Sequence, residues 1–445
     1  RLLLGAVVTA WVAAALVDPP RTAPLSATRG VEPTMPRPSV SITRTLEPCI
    51  VKMQEMLRNV QPPPLSLAQG IVYWSPPDLA QTTALEAMRS PDVHGYGATY
   101  GLPELVDLLE AKLERDNHIS TSDAGVMVTS GANQAYMNIV LSLLDPTDQA
   151  VLFAPYYFNH AMALQMVIGD ENLVVGKSDA DLSPDLGWLR DTLAQRPRIR
   201  MITITNPGNP TGVTLPPSFL EEVAAITEEH GIWLVVDNTY EHFAGGWYGG
   251  PDHSTVSGPH VVNIFSFSKS FGMMGWRVGY LVAPRVILPE VQKVQDTVAI
   301  CPSVLSQHVA VGALRAGTPW VQQNIDTLQG NYQQVREAIA STLGEASIGG
   351  GTGALYLFVR LPPTADEEVS DDSRVVEWLA RDFGVCVIPG SACGSPGFLR
   401  ICFANLSPTS CGEASERLSR GLAELARRAA AVPPPSSSPG ALQSR

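Results

Sequence analysis

The sequence predicts an α/β protein: a large domain with a mostly parallel sheet between helices, followed by a smaller α+β domain. Three observations carry this. From about Glu104 onward, short β-rich runs alternate with helix-spaced stretches, the pattern of a parallel sheet covered on both faces. Beyond about residue 300 the pattern changes to short strands mixed with helices. The length, 445 residues at 45% hydrophobic content, is enough for two ordinary domains with cores of their own.

Taken in order, Leu105–Leu113 has helical spacing. Val126–Thr129 is a short strand, and Gly131 opens a helix. Ala150–Phe153 and Met201–Thr205 are strands, and Pro217–Glu229 is a helix. Ile232–Val236, His260–Phe267 and Val278–Val282 complete the strands of the large domain. A long helical stretch then leads to GGGTGALYLFVRL, to Val385–Ile388 and to Leu399–Phe403. The expected organisation is a leader and linker at 1–45, an N-terminal segment of the small domain with a substrate lid at 46–95, a large domain at 96–300, a small domain at 301–430 and a disordered tail at 431–445. No internal repeat is present.

The ends and the charge bound the function. Arg1 precedes an apolar run, Leu2–Val17, broken by Thr9. It is shorter than the roughly 18 residues of a spanning helix. It reads either as a signal, anchor or transit segment, or as a leader irrelevant to the fold. Membrane contact is expected only through residues 2–17, and the cytoplasm is the expected compartment unless residues 1–17 target or anchor the chain. Residues 18–45 are rich in Pro, Thr, Arg and Ser, and PPPSSSPG marks the tail. The net charge of −13 gives no long-range attraction to phosphate backbones, so no nucleic-acid partner is expected. Six cysteines form no CxxC pair and no Cys/His zinc spacing, so they are expected as buried free thiols, with no metal site.

In a parallel sheet the ligand sits outside the carboxyl ends of the strands, so the residues just past each strand carry the most information. NPGNPTG, residues 206–212, stops the strand at Thr205 with two Asn-Pro pairs, which can continue neither strand nor helix. It is either a plain turn or a device that holds Asn209 at a site. After Thr129 comes Ser130-Gly131-Ala132-Asn133, a strand-to-helix turn whose free amides could cradle an anion. After Phe153 comes APYYFNH, whose tyrosines are either core or a platform for a flat ring. After Val236 come Asp237 and Tyr240, and a carboxylate there needs a cationic partner. After Phe267 come Ser268 and Lys269, with Ser266 before them and Arg277 beyond. Alone, each has a bland reading, a solvated lysine among them. Together they supply an amine nucleophile, an acid, a phenol, an amide, a ring platform and a phosphate cup. Pyridoxal 5′-phosphate requires all six.

With these residues in place, the motifs NPGNPTG, VVDNTYEHF and FSFSKSFGMMGWRVGY resemble those of the fold-type-I pyridoxal-phosphate aminotransferases, over about residues 46–430. The resemblance implies a seven-stranded type of sheet and a homodimer. It implies that Lys269 bonds the cofactor aldehyde, that Asp237 pairs with the pyridine nitrogen, and that Tyr240 and Asn209 bond the 3′-oxygen. Ser266, Ser268, Arg277, Ala132 and Asn133 would hold the phosphate, joined by Tyr96 of a neighbouring subunit, and Tyr157 would stack on the ring. Arg400, in FLRICF, would grip the substrate α-carboxylate, and Gly70 would lie on the substrate side. GIVYWSPP departs from the G-x-P-x-F segment of many members. With APYYFNHAMALQM and VIPGSACGSPGFLR it is similar to a narrower group, the plant-type aromatic aminotransferase with methionine as amino donor. Tyr73 and Trp74 then either face the substrate or pack on the small domain. The expected reaction is ping-pong transfer from an L-amino acid, methionine or aromatic, to a 2-oxo acid such as indole-3-pyruvate or phenylpyruvate. The alternatives are a related lyase, an aminocyclopropane-carboxylate-synthase-like enzyme, or a kynurenine-type aminotransferase. A cofactor-binding regulator would need a DNA-binding module, and residues 1–45 contain no helix-turn-helix pattern.

Overall fold

The computed structural model describes residues 36–432; the apolar run Leu2–Val17 and the end of the tail lie outside these residues. The chain enters through a short helix at Val40–Arg44, inside the expected linker, then a helix at Cys49–Leu57 and a two-residue strand, β1 (Leu65–Ser66). Seven strands come next: β2 (Ala124–Thr129), β3 (Gln149–Phe153), β4 (Leu173–Gly176), β5 (Ile199–Thr205), β6 (Trp233–Asp237), β7 (Val261–Ser266) and β8 (Gly279–Pro284). They form one sheet in the order β2-β8-β7-β6-β5-β3-β4. All run parallel except β8, which is antiparallel to both its neighbours. β4 was absent from the sequence expectation.

β3, β6, β7 and β8 are buried along nearly their whole length, as strands covered on both faces must be. Their runs of Val, Ile and Leu bury about 1.5–3 kcal/mol per large side chain. Polar residues such as Asn263 also lie within the strands, but Asp237 and Ser266 stand at strand ends, so the sheet's rim collects the chemistry.

A second sheet is antiparallel, in the order β12-β13-β10-β9. Its strands are β9 (Ile348–Gly349), β10 (Tyr356–Arg360), β12 (Ile388–Pro389) and β13 (Phe398–Cys402), with β11 (Val385–Cys386) just before β12. The expected continuous strand over 385–388 is thus split. β1 pairs parallel with β11, and the chain beyond it continues along β13, with the Cys402 amide donating to the Leu67 carbonyl at 2.8 Å. This pairing brings residues 67–71 beside Arg400.

The long helical stretch after residue 300 resolves into Val304–Asp326, kinked at Gly317 (φ 81°), and Leu328–Leu343. All six cysteines are unpaired, and all but Cys301 are buried. Among the described residues no helix is long and apolar enough to cross a membrane, and no cluster of ligands could hold a metal ion. From Val40 on, the described residues form one compact unit.

Candidate active site

Sheet register builds the site. Thr129 on β2 and Ser266 on β7 both stand opposite Gly279 on β8. Because β8 is antiparallel, it begins where β2 and β7 end. Arg277, two residues before β8, therefore reaches the same rim as Gly131 and Ser268. The approach is close: a Cβ on Gly279 would lie 2.6 Å from the Ala132 nitrogen, and one on Gly131 (φ 85°) would lie 2.2 Å from Arg277 Nη2. The helix Ala132–Leu143 starts here. Its first amides have no carbonyl a turn earlier to bond, so they stand ready for an anion.

One cavity of about 220 Å³ collects Gly70, Ala132, Asn133, Tyr157, Asn209, Asp237, Tyr240, Ser266, Ser268, Lys269, Arg277 and Arg400. These are twelve of the fifteen residues that the sequence pointed to. The other three, Tyr73, Trp74 and Tyr96, do not line it. Within this chain both side chains of the Tyr73-Trp74 pair pack against other residues. Trp74 stacks on Phe243, Tyr73 meets Trp74 edge-on, and the Tyr73 hydroxyl donates to Thr327 Oγ1 at 2.6 Å. Tyr96 is 85% exposed, outside its own chain's cavity.

Electrostatics sort the groups. Burial alone would raise the Asp237 pKa, but His160 Nε2 donates to Oδ2 at 3.0 Å, and the Thr239 amide and hydroxyl donate to Oδ1. Together they hold the carboxyl below its usual range. Sequence reading missed His160. It closes the APYYFNH segment, about one helical turn after Tyr157, and that spacing was the available signal.

Lys269 is enclosed, and its Nζ donates to the Gly70 carbonyl. Burial pushes its amine down to about 8, with the Cys402 thiol opposing and the Arg277 and Arg400 charges assisting. A free amine is thus available near neutral pH. Below about pH 8 the protonated ammonium dominates and cannot attack an aldehyde. Capture of pyridoxal 5′-phosphate by the apoprotein is therefore expected to speed up about tenfold per pH unit up to about pH 8 and then level. Stopped-flow absorbance across this pH range measures it; a midpoint near the ordinary lysine value would refute the depressed pKa.

Arg400 is buried on β13. Nη1 donates to Asn209 Oδ1 at 3.0 Å and Nη2 to the Ala68 carbonyl at 2.8 Å. Among the described residues its Nε is buried with no hydrogen-bond partner, and a buried unpaired N–H on a cation is costly. The guanidinium is therefore set to receive an anionic acceptor. Tyr356, also missed, lies under it, with the guanidinium carbon 4.6 Å from the ring centroid. Behind the site, Glu241 comes directly after Tyr240 in the chain. Burial would raise its pKa, but the Lys112 ammonium, with His242 and His253, brings it down to about 2. Lys112 also donates to Asn117 Oδ1 at 2.7 Å and to the Tyr280 hydroxyl at 3.2 Å. This buried pair pins the backbone that carries Asp237 and Tyr240.

Residues 64–418 match the family model "Aminotransferase class I and II". The chain is 44% identical to an aromatic aminotransferase of Arabidopsis thaliana over 367 residues, which covers 81% of this chain and 90% of that one. It is 28% identical to an aspartate/prephenate aminotransferase of Thermus thermophilus, over 80% of this chain and 91% of that one. Among solved structures, the aspartate aminotransferase of Thermus thermophilus with maleate superposes with a TM-score of 0.77 at 25% identity, covering 87% of this chain and all of that one.

Proposed function

The chain belongs to the class I and II aminotransferases and is a pyridoxal-5′-phosphate-dependent enzyme, and from that premise we propose that it moves the amino group of methionine or an aromatic L-amino acid to an aromatic 2-oxo acid. The carrying observation is the cavity wall. Ile50, Ile71, Phe158 and Tyr356 line it, and its only cations among the described residues are Lys269, Arg277 and Arg400. Lys269 is taken up by the cofactor aldehyde, Arg277 by the phosphate and Arg400 by the α-carboxylate. Within one chain none is left for a second substrate carboxylate, whereas an aromatic ring or a thioether suits the apolar side. The 44% identity to an aromatic aminotransferase supports the same reading.

The residues present fit the cofactor. The two glycines at the cup leave room that a Cβ would fill. The donors match a phosphate and a phenolic oxygen, and the Asp237 carboxylate is an acceptor for a protonated ring nitrogen. When bound, pyridoxal 5′-phosphate supplies an electrophilic aldehyde and a ring that takes up the electron pair released at the substrate Cα.

The residues then divide the work. The Ala132 and Asn133 amides, Ser266, Ser268 and Arg277 hold the phosphate. Tyr157 covers the ring face. Asp237, kept ionised by His160 and Thr239, holds a proton on the ring nitrogen. Tyr240 and Asn209 donate to the 3′-oxygen. Arg400 takes the substrate α-carboxylate, with Gly70 leaving space beside it. Lys269 Nζ would bond the cofactor at rest and, once displaced by the substrate amine, would accept the Cα proton. Tyr96 reaches the phosphate cup of a second copy, in a homodimer.

The test uses purified, cofactor-loaded protein. Methionine alone is expected to change its visible absorbance, and later addition of indole-3-pyruvate to restore the band and form tryptophan. Such stepwise behaviour marks ping-pong transfer. A response to aspartate but not to methionine or phenylalanine would discard the apolar-substrate reading. Ammonia release without tryptophan would point to a lyase.

A further inference from the structure

The Tyr356 ring lines the cavity wall, but its hydroxyl has no task in this scheme, although the residue is 1% exposed and that hydroxyl lies 2.6 Å from that of Tyr240. The neighbours settle which phenol donates. Asn209 turns its Oδ1 to Arg400 Nη1, so the side of its amide that faces Tyr240, at 3.4 Å, is the donating Nδ2. Tyr240 oxygen therefore already accepts. The Tyr356 hydroxyl has that of Tyr240 as its only hydrogen-bond partner among the described residues, and Gly70 closes over its oxygen, where a Cβ would stand 1.9 Å away. A buried hydroxyl proton needs an acceptor. If Tyr356 donates to Tyr240, both protons are placed: one lies between the phenols, the other turns into the cavity. If Tyr240 donates instead, it has no proton left for a ligand.

We propose that Tyr356 is a positioning residue: it donates to the Tyr240 oxygen, keeping the Tyr240 hydroxyl aimed at the cofactor 3′-oxygen and strengthening it as a donor. This rests on the proposed contact between Tyr240 and that oxygen. Successive hydrogen bonds polarise one another, so the outer phenol acts through the inner one. The other ionisable groups around the phenols are Asp237 on β6, Lys269 after β7, Arg277 before β8, Arg400 and Cys402 on β13, and Tyr157 at its helix start. Substituting either phenol leaves all of these in place.

The test is the pH titration of the visible absorbance of the cofactor-loaded protein. A hydrogen bond donated to the 3′-oxygen favours its ionised form, so weakening that bond raises the midpoint. Tyr240→Phe is expected to raise it. Tyr356→Phe, which keeps the ring under Arg400, is expected to raise it less, by roughly half a pH unit. The double variant is expected to match Tyr240→Phe alone. An unmoved midpoint in Tyr356→Phe, with Tyr240→Phe shifted, overturns the proposal. So does a double variant in which the two shifts add, because Tyr356 would then touch the ligand directly. If neither single variant moves the midpoint, the Tyr240 contact itself is wrong and the proposal falls with it. Thermal unfolding of each variant separates these outcomes from loss of fold.

Discussion

Replacing Lys269 with alanine lowers kcat by about 10⁴-fold or more, because one side chain both bonds the cofactor and moves the Cα proton. No neighbour can substitute. Arg277 and Arg400 cannot lose a proton in this range, and the Asp237 carboxylate is engaged by His160 and Thr239. The phosphate cup is built from other residues, so the variant is expected to retain cofactor reversibly and to fold. Steady-state rates with methionine and indole-3-pyruvate measure the loss; turnover within about tenfold of the unaltered protein would remove Lys269 from its role. The same variant tests the second copy. Mixed with Tyr96→Phe subunits, it is expected to regain activity above the average of the two parents. One site of each mixed dimer then combines a native Lys269 with a native Tyr96.

The second large effect falls on Arg400. Arg400→Lys keeps the charge but loses the planar fork. One ammonium cannot bond Asn209 Oδ1 and the Ala68 carbonyl and still present paired donors to a carboxylate. Losing one side of a buried, hydrogen-bonded charge pair costs about 2–5 kcal/mol, so kcat/KM is expected to fall by roughly 10²-fold or more for every amino acid tried. The loss should show mainly as a higher KM, since a uniformly used carboxylate grip is being weakened. A loss confined to one substrate would instead place Arg400 against the side chain.

The groups at the sheet rim were legible because each stands directly after an apolar run. Lys269, Asp237 and Asn209 lie at the ends of β7, β6 and β5, and a parallel sheet puts such positions at one edge. What was not legible depends on pairing across the chain. The Ala68 carbonyl and Arg400 meet only through β1 with β11, segments that lie far apart in sequence. His160 lies on a helix, Phe158–Ile168, that is buried nearly all round. It therefore has no amphipathic stripe to mark its face. β4 has four residues with Val175 exposed at the sheet edge, too short a run to separate from loop. Tyr73 and Trp74 lie outside this chain's cavity, and their partners were not legible for a related reason: aromatic identity says that a ring will be buried, not against what.

The antiparallel strand at the cup has a further consequence, for the order in which the protein can be made. β2 is the first strand of the large sheet to leave the ribosome, yet its only neighbour in the sheet is β8, the last. Until residue 284 has been synthesised, the strand that presents Ala132 and Asn133 has nothing to pair with, and Arg277 is not there to face them. Closing so long a loop is slow. A nascent chain cannot use the cofactor's phosphate as a template for its early folding; binding of the cofactor registers the final pairing in the sheet.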